Sequence, residues 1–416
     1  MEALKFQKKK IHVSFRNNWN KSIHRWYRFH AGCSFEFPEC MIEYLNIEKG
    51  SVILDPFIGS GTNLVTAKEK GIDSIGFDIN DFYVFISKVK TYWDFDLINL
   101  DSEIQNLIAN VKCKYHIKSN LLDDDSFSKI DNIPSYIFRY FTPTVLEKIS
   151  LLKKEISTIQ DERIKDFMFL ALASMLIDVS KVRHVGETIV FRKNNKNAPK
   201  VLQIFLKKID EMLLDLKIMK SQVKEPGRVN VEKADVRDLE YILDDESIDN
   251  VITHPPYANN YNYLLHDRLP LFFLYYLYTR EDEKKLNQVL AGSARKMIFQ
   301  DRFEPPIKEV EVIANKIKNN GDSTRYHSLL EYFDTMNKFL EIFTFKTKPG
   351  GYLTMLVGNS YIRGEMIPLD QLLGKMAKNV GYDVIEITKV RDRGNGAFQH
   401  IYDGQLYESI VVLKNT

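Results

Sequence analysis

Short runs rich in β-branched and other apolar residues recur along the chain, several of them separated by stretches whose apolar positions repeat every three or four residues. The runs are "SVILD" (51–55), "SIGFDI" (74–79), "VNVEKA" (229–234), "DNVITH" (249–254), "GYLTMLVGN" (351–359), "DVIEITKV" (383–390) and "LYESIVVLK" (406–414). Such runs predict strands, and the helical patterns between them predict crossovers. The first two flank a predicted helix of about fifteen residues, which makes a βαβ unit. From 92 to 225 the spacing is mostly helical, as in "TPTVLEKISLLKKEISTI" and "VLQIFLKKIDEMLLDLKIMK". The pattern therefore predicts an α/β chain with a doubly wound seven-stranded sheet, the last two strands closing as an antiparallel pair. Residues 1–91 and 226–416 would form that domain, 92–225 a helical insertion, and 280–330 a smaller charged insertion.

Composition narrows the class only a little. The chain has 416 residues, 44% hydrophobic and 27% charged, which suits one large domain with an insertion. No apolar run is long enough to cross a bilayer. The start, "MEALKFQKKK", lacks the apolar core of a secretory signal, so a cytoplasmic protein is expected. Cys33, Cys40 and Cys113 form neither a metal-like pair nor a disulfide framework and read as free thiols. The net charge of +2 identifies no partner, but its distribution is uneven. Residues 1–28 hold eight Lys or Arg against Glu2, and residues 181–200 hold six, Arg183, Arg192, Lys193 and Lys196 among them, against Glu187. Each cluster suits phosphate contact, although for either alone a solvated basic face is the favoured reading.

Two stretches carry candidate chemistry. "ILDPFIGSGTNLVTAKEKG" leaves the first strand and opens a helix, with Gly59 and Gly61 placed to let backbone approach a ligand at the carboxyl end of a parallel strand. Asp78 ends the second strand about twenty residues later, where an acid can accept both hydroxyls of a ribose. A dinucleotide-binding dehydrogenase would carry a third glycine where Leu64 stands. The second stretch is "VITHPPYANNYNY" (251–263). Proline donates no ladder hydrogen bond, so the strand ends at His254 on a rigid corner, followed by aromatic rings and amides.

Together these motifs resemble the DNA methyltransferases that modify exocyclic amines, at cytosine N4 or adenine N6. "DPFIGSGT" is similar to their S-adenosylmethionine loop and "THPPY" to their catalytic tetrapeptide, usually Ser, Asn or Asp before Pro-Pro-aromatic. "ISKVKT" (86–91) resembles the segment that follows the ribose-binding acid, and "HRWYRFHAGCSFEFPECMIEYL" (24–45) the segment over the methionine end of the cofactor. The resemblance covers the first 91 residues and most of 226–416. It implies a Rossmann-like class I S-adenosylmethionine-dependent methyltransferase fold. It also implies cofactor contacts from Asp55, Pro56, Phe57, Gly59, Gly61, Thr62, Asp78 and Asp235, and catalysis by His254, Pro255, Pro256 and Tyr257. Phe37 and Pro38 would flank the cofactor or start an apolar helix. Arg391, Arg393 and Glu408 resemble the closing hairpin and would be architectural.

The implied chemistry is physically coherent. A base amine is a poor nucleophile because its lone pair is delocalised into the ring. Two acceptors near its hydrogens, a proline carbonyl and the residue before Pro-Pro, would localise that pair, and the prolines hold them rigid. Tyr257 would stack a base extruded from the duplex. The resemblance further implies double-stranded DNA as partner, contacted by Arg183, Arg192, Lys193, Lys196, Asn259 and Asn260, with S-adenosyl-L-methionine as cofactor. A restriction–modification or host-defence setting follows, with cleavage left to a separate restriction endonuclease. His254 departs from the family pattern. A neutral imidazole accepts through one nitrogen, a protonated one through none, so an unperturbed ring would impose an acid limb near pH ~6.5. Ser at this position would point to cytosine, Asp or Asn to adenine; the flanking T-x-PPY-x-N-x-Y-x-Y resembles the cytosine type. The rivals are methylation of an RNA base amine and a degenerate methylase that only reads DNA.

Overall fold

In the computed structural model, the described residues are 11–118, 135–185, 188–193, 200–258, 263–274, 276–277, 279–290, 303–393 and 406–416. Eleven strands lie among them: β1 (Val52–Asp55), β2 (Asp73–Asp78), β3 (Val182–Val185), β4 (Thr188–Phe191), β5 (Val229–Lys233), β6 (Ile248–Thr253), β7 (Thr347–Gly358), β8 (Ser360–Ile362), β9 (Glu365–Ile367), β10 (Tyr382–Asp392) and β11 (Tyr407–Asn415). All seven strands expected from the apolar runs form one sheet, in the order β10-β11-β7-β6-β1-β2-β5. β7, β6, β1, β2 and β5 run parallel, and β11 pairs antiparallel with both β7 and β10. This is the class I methyltransferase arrangement.

The central strands are apolar because both faces are covered. Leu54, Val251, Leu353 and Met355 pack towards helices Lys308–Asn319, Ser323–Lys346 and Leu369–Asn379, while Ile53, Ile252 and Leu356 pack towards helix Glu36–Tyr44. The helix after the glycine loop is shorter than its pattern suggested, Thr62–Glu69, because residues 56–61 are spent on the loop and the chain turns back at Gly71. Phe37 is fully buried at the start of its helix, which settles that position as apolar packing.

The helices between 97 and 222 share one hydrophobic core with the strap 11–34 and with helix Asp81–Thr91. A buried carboxylate joins them: Asp215 accepts hydrogen bonds from the Ile23 amide, the Arg25 guanidinium and the Trp26 indole. Two small hairpins escaped the periodicity. β3–β4 interrupts the helical segment and β8–β9 follows β7. No described helix is long and apolar enough to cross a membrane, and none of the three cysteines forms a disulfide.

Candidate active site

The strand order reverses between β1 and β6, the position where doubly wound sheets bind ligands beyond their carboxyl ends. The glycine loop leaves β1 and the Pro-Pro corner leaves β6, and the two strands run parallel side by side. Segments 198 residues apart therefore open onto one cleft of about 600 Å³, within the ~300–1,000 Å³ of small-molecule sites. Pro56, Phe57, Gly59, Asp78, Asp235 and the whole of His254-Pro255-Pro256-Tyr257 line it. So do Phe15, Arg28, Phe29 and His30 of the strap and His184 of β3.

Asp55, Gly61 and Thr62 sit beneath the loop rather than on its ligand side. Asp55 is only 2% exposed. Its oxygens accept from the Phe57 amide (3.1 Å), the Asn63 amide group (2.8 Å) and the Thr253 hydroxyl (2.7 Å). The aspartate thus rivets the end of β1 to the end of β6. Burial pushes its carboxyl up to about 6, against these donors.

Gly59 and Gly61 have left-handed backbones, φ +50° and +76°. Helix Asp81–Thr91 supports this loop from below: Ser87 Oγ donates to the Gly59 carbonyl and the buried Lys90 Nζ to the Ser60 carbonyl. "ISKVKT" is therefore the loop's floor.

Asp78 is half-buried at the cleft wall. Oδ2 accepts from the Gly59 amide (3.1 Å) and Oδ1 from the Asn80 amide (2.9 Å). Each carboxylate oxygen has capacity for another donor. Burial pushes its carboxyl up to about 7, opposed by those amides. Asp235 faces the cleft but is engaged locally: its carboxylate caps the turn at Arg237 and pairs with that guanidinium at 2.5 Å.

At the corner, the Pro256 carbonyl accepts from Tyr332 Oη (2.9 Å). His254 Nε2 lies 2.8 Å from Tyr257 Oη, which in turn donates to Glu408 Oε1 at 3.2 Å. Arg391 pairs with Glu408 at 2.9 Å. Burial, with the charges of Arg391 and Arg393, pushes the His254 imidazole down to about 3. Tyr257 is 7% exposed, and the Arg393 guanidinium sits 5.1 Å from its ring centroid. Arg391, Arg393 and Glu408 therefore belong to the cleft wall, beyond the architectural role that the sequence suggested. Tyr332 carried no sequence signal beyond an ordinary helix position, and Thr253, though within the motif, gave no sign of its bond to Asp55.

Of the basic residues, Arg183 and Lys193 are exposed. Arg192 donates to the carbonyls of Val182 and Ile177, so its guanidinium braces the hairpin. Lys196, Asn259 and Asn260 lie outside the described residues.

Comparison with known proteins agrees with this geometry. The family model described as DNA methylase (N6_N4_Mtase) matches residues 5–89. Type II methyltransferase M.BsoBI of Geobacillus stearothermophilus is 26% identical over 96% of this chain and 89% of its own length. Type II methyltransferase M.MvaI of Kocuria varians is 24% identical over 88% and 84%. Type II methyltransferase M.MjaII of Methanocaldococcus jannaschii is 35% identical over 31% of this chain and 24% of its own. With both motifs at adjacent strand ends of a class I sheet, the chain is similar to the DNA methylase family over residues 5–89 and to Type II methyltransferases over most of its length.

Proposed function

We propose that this DNA methyltransferase transfers a methyl group from S-adenosyl-L-methionine to the exocyclic amine of a flipped base, cytosine N4 in preference to adenine N6. The observation that carries the reading is the meeting of Asp78 and the glycine loop with His254 and Pro255 in one cleft. The preference for cytosine rests on the pattern Thr253-x-Pro255-Pro256-Tyr257. Digestion of host DNA to nucleosides after expression, with mass spectrometry against N4-methylcytosine and N6-methyladenine standards, tests both levels. N6-methyladenine alone would overturn the base; neither product would overturn the activity.

The cleft fits the cofactor chemically. Asp78 offers acceptor capacity for two ribose hydroxyls, and Phe57, Ile79 and Val236 supply apolar walls for a planar ring. The bound cofactor would supply an electrophilic methyl group; everything else falls to the chain. Glu408, ion-paired with Arg391, only accepts, so Tyr257 Oη donates to it and must itself accept from His254 Nε2–H. That tautomer leaves Nδ1 as the imidazole acceptor. With the Pro256 carbonyl held by Tyr332, the Pro255 carbonyl is the second acceptor for the amine. A ring kept neutral down to about pH 3 accepts a hydrogen bond without taking a proton.

Asp78→Ala is expected to weaken cofactor binding by roughly 1.5–3 kcal/mol, the scale of charge-assisted hydrogen bonds, without changing the DNA sequence preferred. Because the hydroxyls donate to the ionised carboxylate, wild-type affinity should fall as pH drops below about 7, and Asp78→Asn should remove that dependence. Calorimetry across pH checks both; a loss confined to DNA affinity would refute the assignment.

The β3–β4 hairpin reaches the cleft through His184, which makes the segment 92–225 the candidate for target recognition. Arg183→Ala and Lys193→Ala should each flatten the salt dependence of DNA binding, by about 0.9 in log–log slope for every phosphate no longer neutralised, leaving cofactor affinity as it was. Arg192→Ala should instead lower stability, since two carbonyls lose their donor. An unaltered slope in the first two variants would mark that face as merely solvated. The Type II relatives support a restriction–modification setting in the cytoplasm, with a separate endonuclease as partner.

A further inference from the structure

Three histidines from three distant segments converge beside the cleft: His30 of the strap, His184 of β3 and His266 of helix Tyr263–Phe273. Their ring centroids stand 4.1, 4.6 and 4.7 Å apart in the three pairings. One ligand nitrogen from each can be chosen so that all lie within 4.8 Å of one another. We propose that His30, His184 and His266 form a binding site for one zinc-class divalent transition-metal ion, which clasps the strap over the cleft to the β3–β4 hairpin and to helix Tyr263–Phe273.

The donor set selects the class of ion. Three imidazoles with no carboxylate among them suit zinc, cobalt, nickel or copper rather than magnesium or calcium. Nitrogens on one tetrahedral zinc stand roughly 3.4 Å apart, given zinc–nitrogen bonds of about 2.0–2.1 Å. The observed spread is close enough for ring rotation to close.

Tautomers point the same way. His184 Nε2 lies 3.3 Å from the His266 carbonyl, to which it can only donate. Its Nδ1 therefore carries the lone pair and accepts from His30 Nε2–H at 2.7 Å, a hydrogen bond that a metal ion would replace as the two rings move apart. A backbone carbonyl holding the outer N–H is the usual support of a metal-binding imidazole. Arg28 opposes a cation here, and Asp178 near His184 favours one.

The position is apt for a clasp. Next to His266, Asp267 accepts from Tyr27 Oη of the strap (2.5 Å) and from Tyr83 Oη (2.9 Å). That second fastening involves no metal and should keep the strap folded when the ion is removed. His30 and His184 line the cleft, so a three-ligand site would turn its fourth position towards it.

The test uses the untagged full-length chain, stripped with a chelator and titrated with Co²⁺ and then Zn²⁺. One Co²⁺ per chain should bind with the intense visible bands of a tetrahedral site, zinc should displace it, and zinc should raise the melting temperature. His30→Ala, at an exposed position, and His184→Ala should each lower metal affinity by at least ~100-fold, the upper end of what loss of an outer-shell partner alone costs. Both should remain folded by circular dichroism. Failure of the wild type to bind one equivalent would overturn the site, as would unchanged affinity in both variants.

Discussion

His254→Ala is expected to slow single-turnover methyl transfer by about 100- to 1,000-fold, the cost of removing one preorganised hydrogen-bonding group, while cofactor affinity stays unchanged. His254→Ser should keep substantial activity, since a hydroxyl also accepts. The acid limb near pH ~6.5 that a free imidazole would impose should be missing from the wild type. Burial and the charges of Arg391 and Arg393 hold the ring neutral to about pH 3, so wild type and His254→Ser should share the shape of their pH–rate profile above that range. A difference should surface instead in stability. The folded pKa lies below that of the unfolded chain, so the unfolded state takes up the proton first. The wild type should then lose stability relative to His254→Ser as pH falls from about 6.5 towards 3. Tyr257→Phe, which removes the acceptor for Nε2–H, should give a rate between wild type and His254→Ala. Equal rates in all four proteins would make His254 structural and leave the clamp to the Pro255 carbonyl.

Gly61→Val should abolish cofactor binding and lower the stability of the fold. The left-handed backbone alone costs a non-glycine residue about 1–2 kcal/mol, and a branched residue more. A Cβ there would stand 2.9 Å from Ser87 Oγ and 3.2 Å from Ser87 Cα. Helix Asp81–Thr91 cannot easily retreat, because Ser87 and Lys90 bind the loop's own carbonyls; overpacking adds roughly 1–3 kcal/mol. Gly59→Val strikes a different neighbour, the Phe29 ring of the strap at 2.6 Å. It should also lose the cofactor, because shifting the loop breaks the Gly59 amide bond to Asp78. Phe29→Ala should partly restore Gly59→Val and do nothing for Gly61→Val. Calorimetry with S-adenosyl-L-methionine and urea melts decide the matter: unchanged cofactor affinity in either valine variant would move the binding site elsewhere.

What the sequence determined by itself was everything carried by short-range pattern. Strand runs such as "SVILD" and "DNVITH" are legible because burial of both sheet faces selects consecutive apolar residues, whatever the rest of the chain does. The glycine loop and the Pro-Pro corner are legible because each is contiguous, and because backbone conformation at glycine and proline is a property of single residues. Tertiary structure alone decided which groups meet. Asp55 reads as a ligand contact beside Gly59 in sequence, yet its side chain turns down to Thr253, because β1 and β6 lie side by side only after the chain has crossed over through β2 and β5. Glu408 reaches Tyr257, Asp215 reaches Arg25, and the three histidines gather through separations of more than eighty residues, with no spacing to announce them. Periodicity reports which face of an element is buried. Which side chain waits on the opposite wall depends on strand order and on how the strap is fastened, and those are properties of the whole chain.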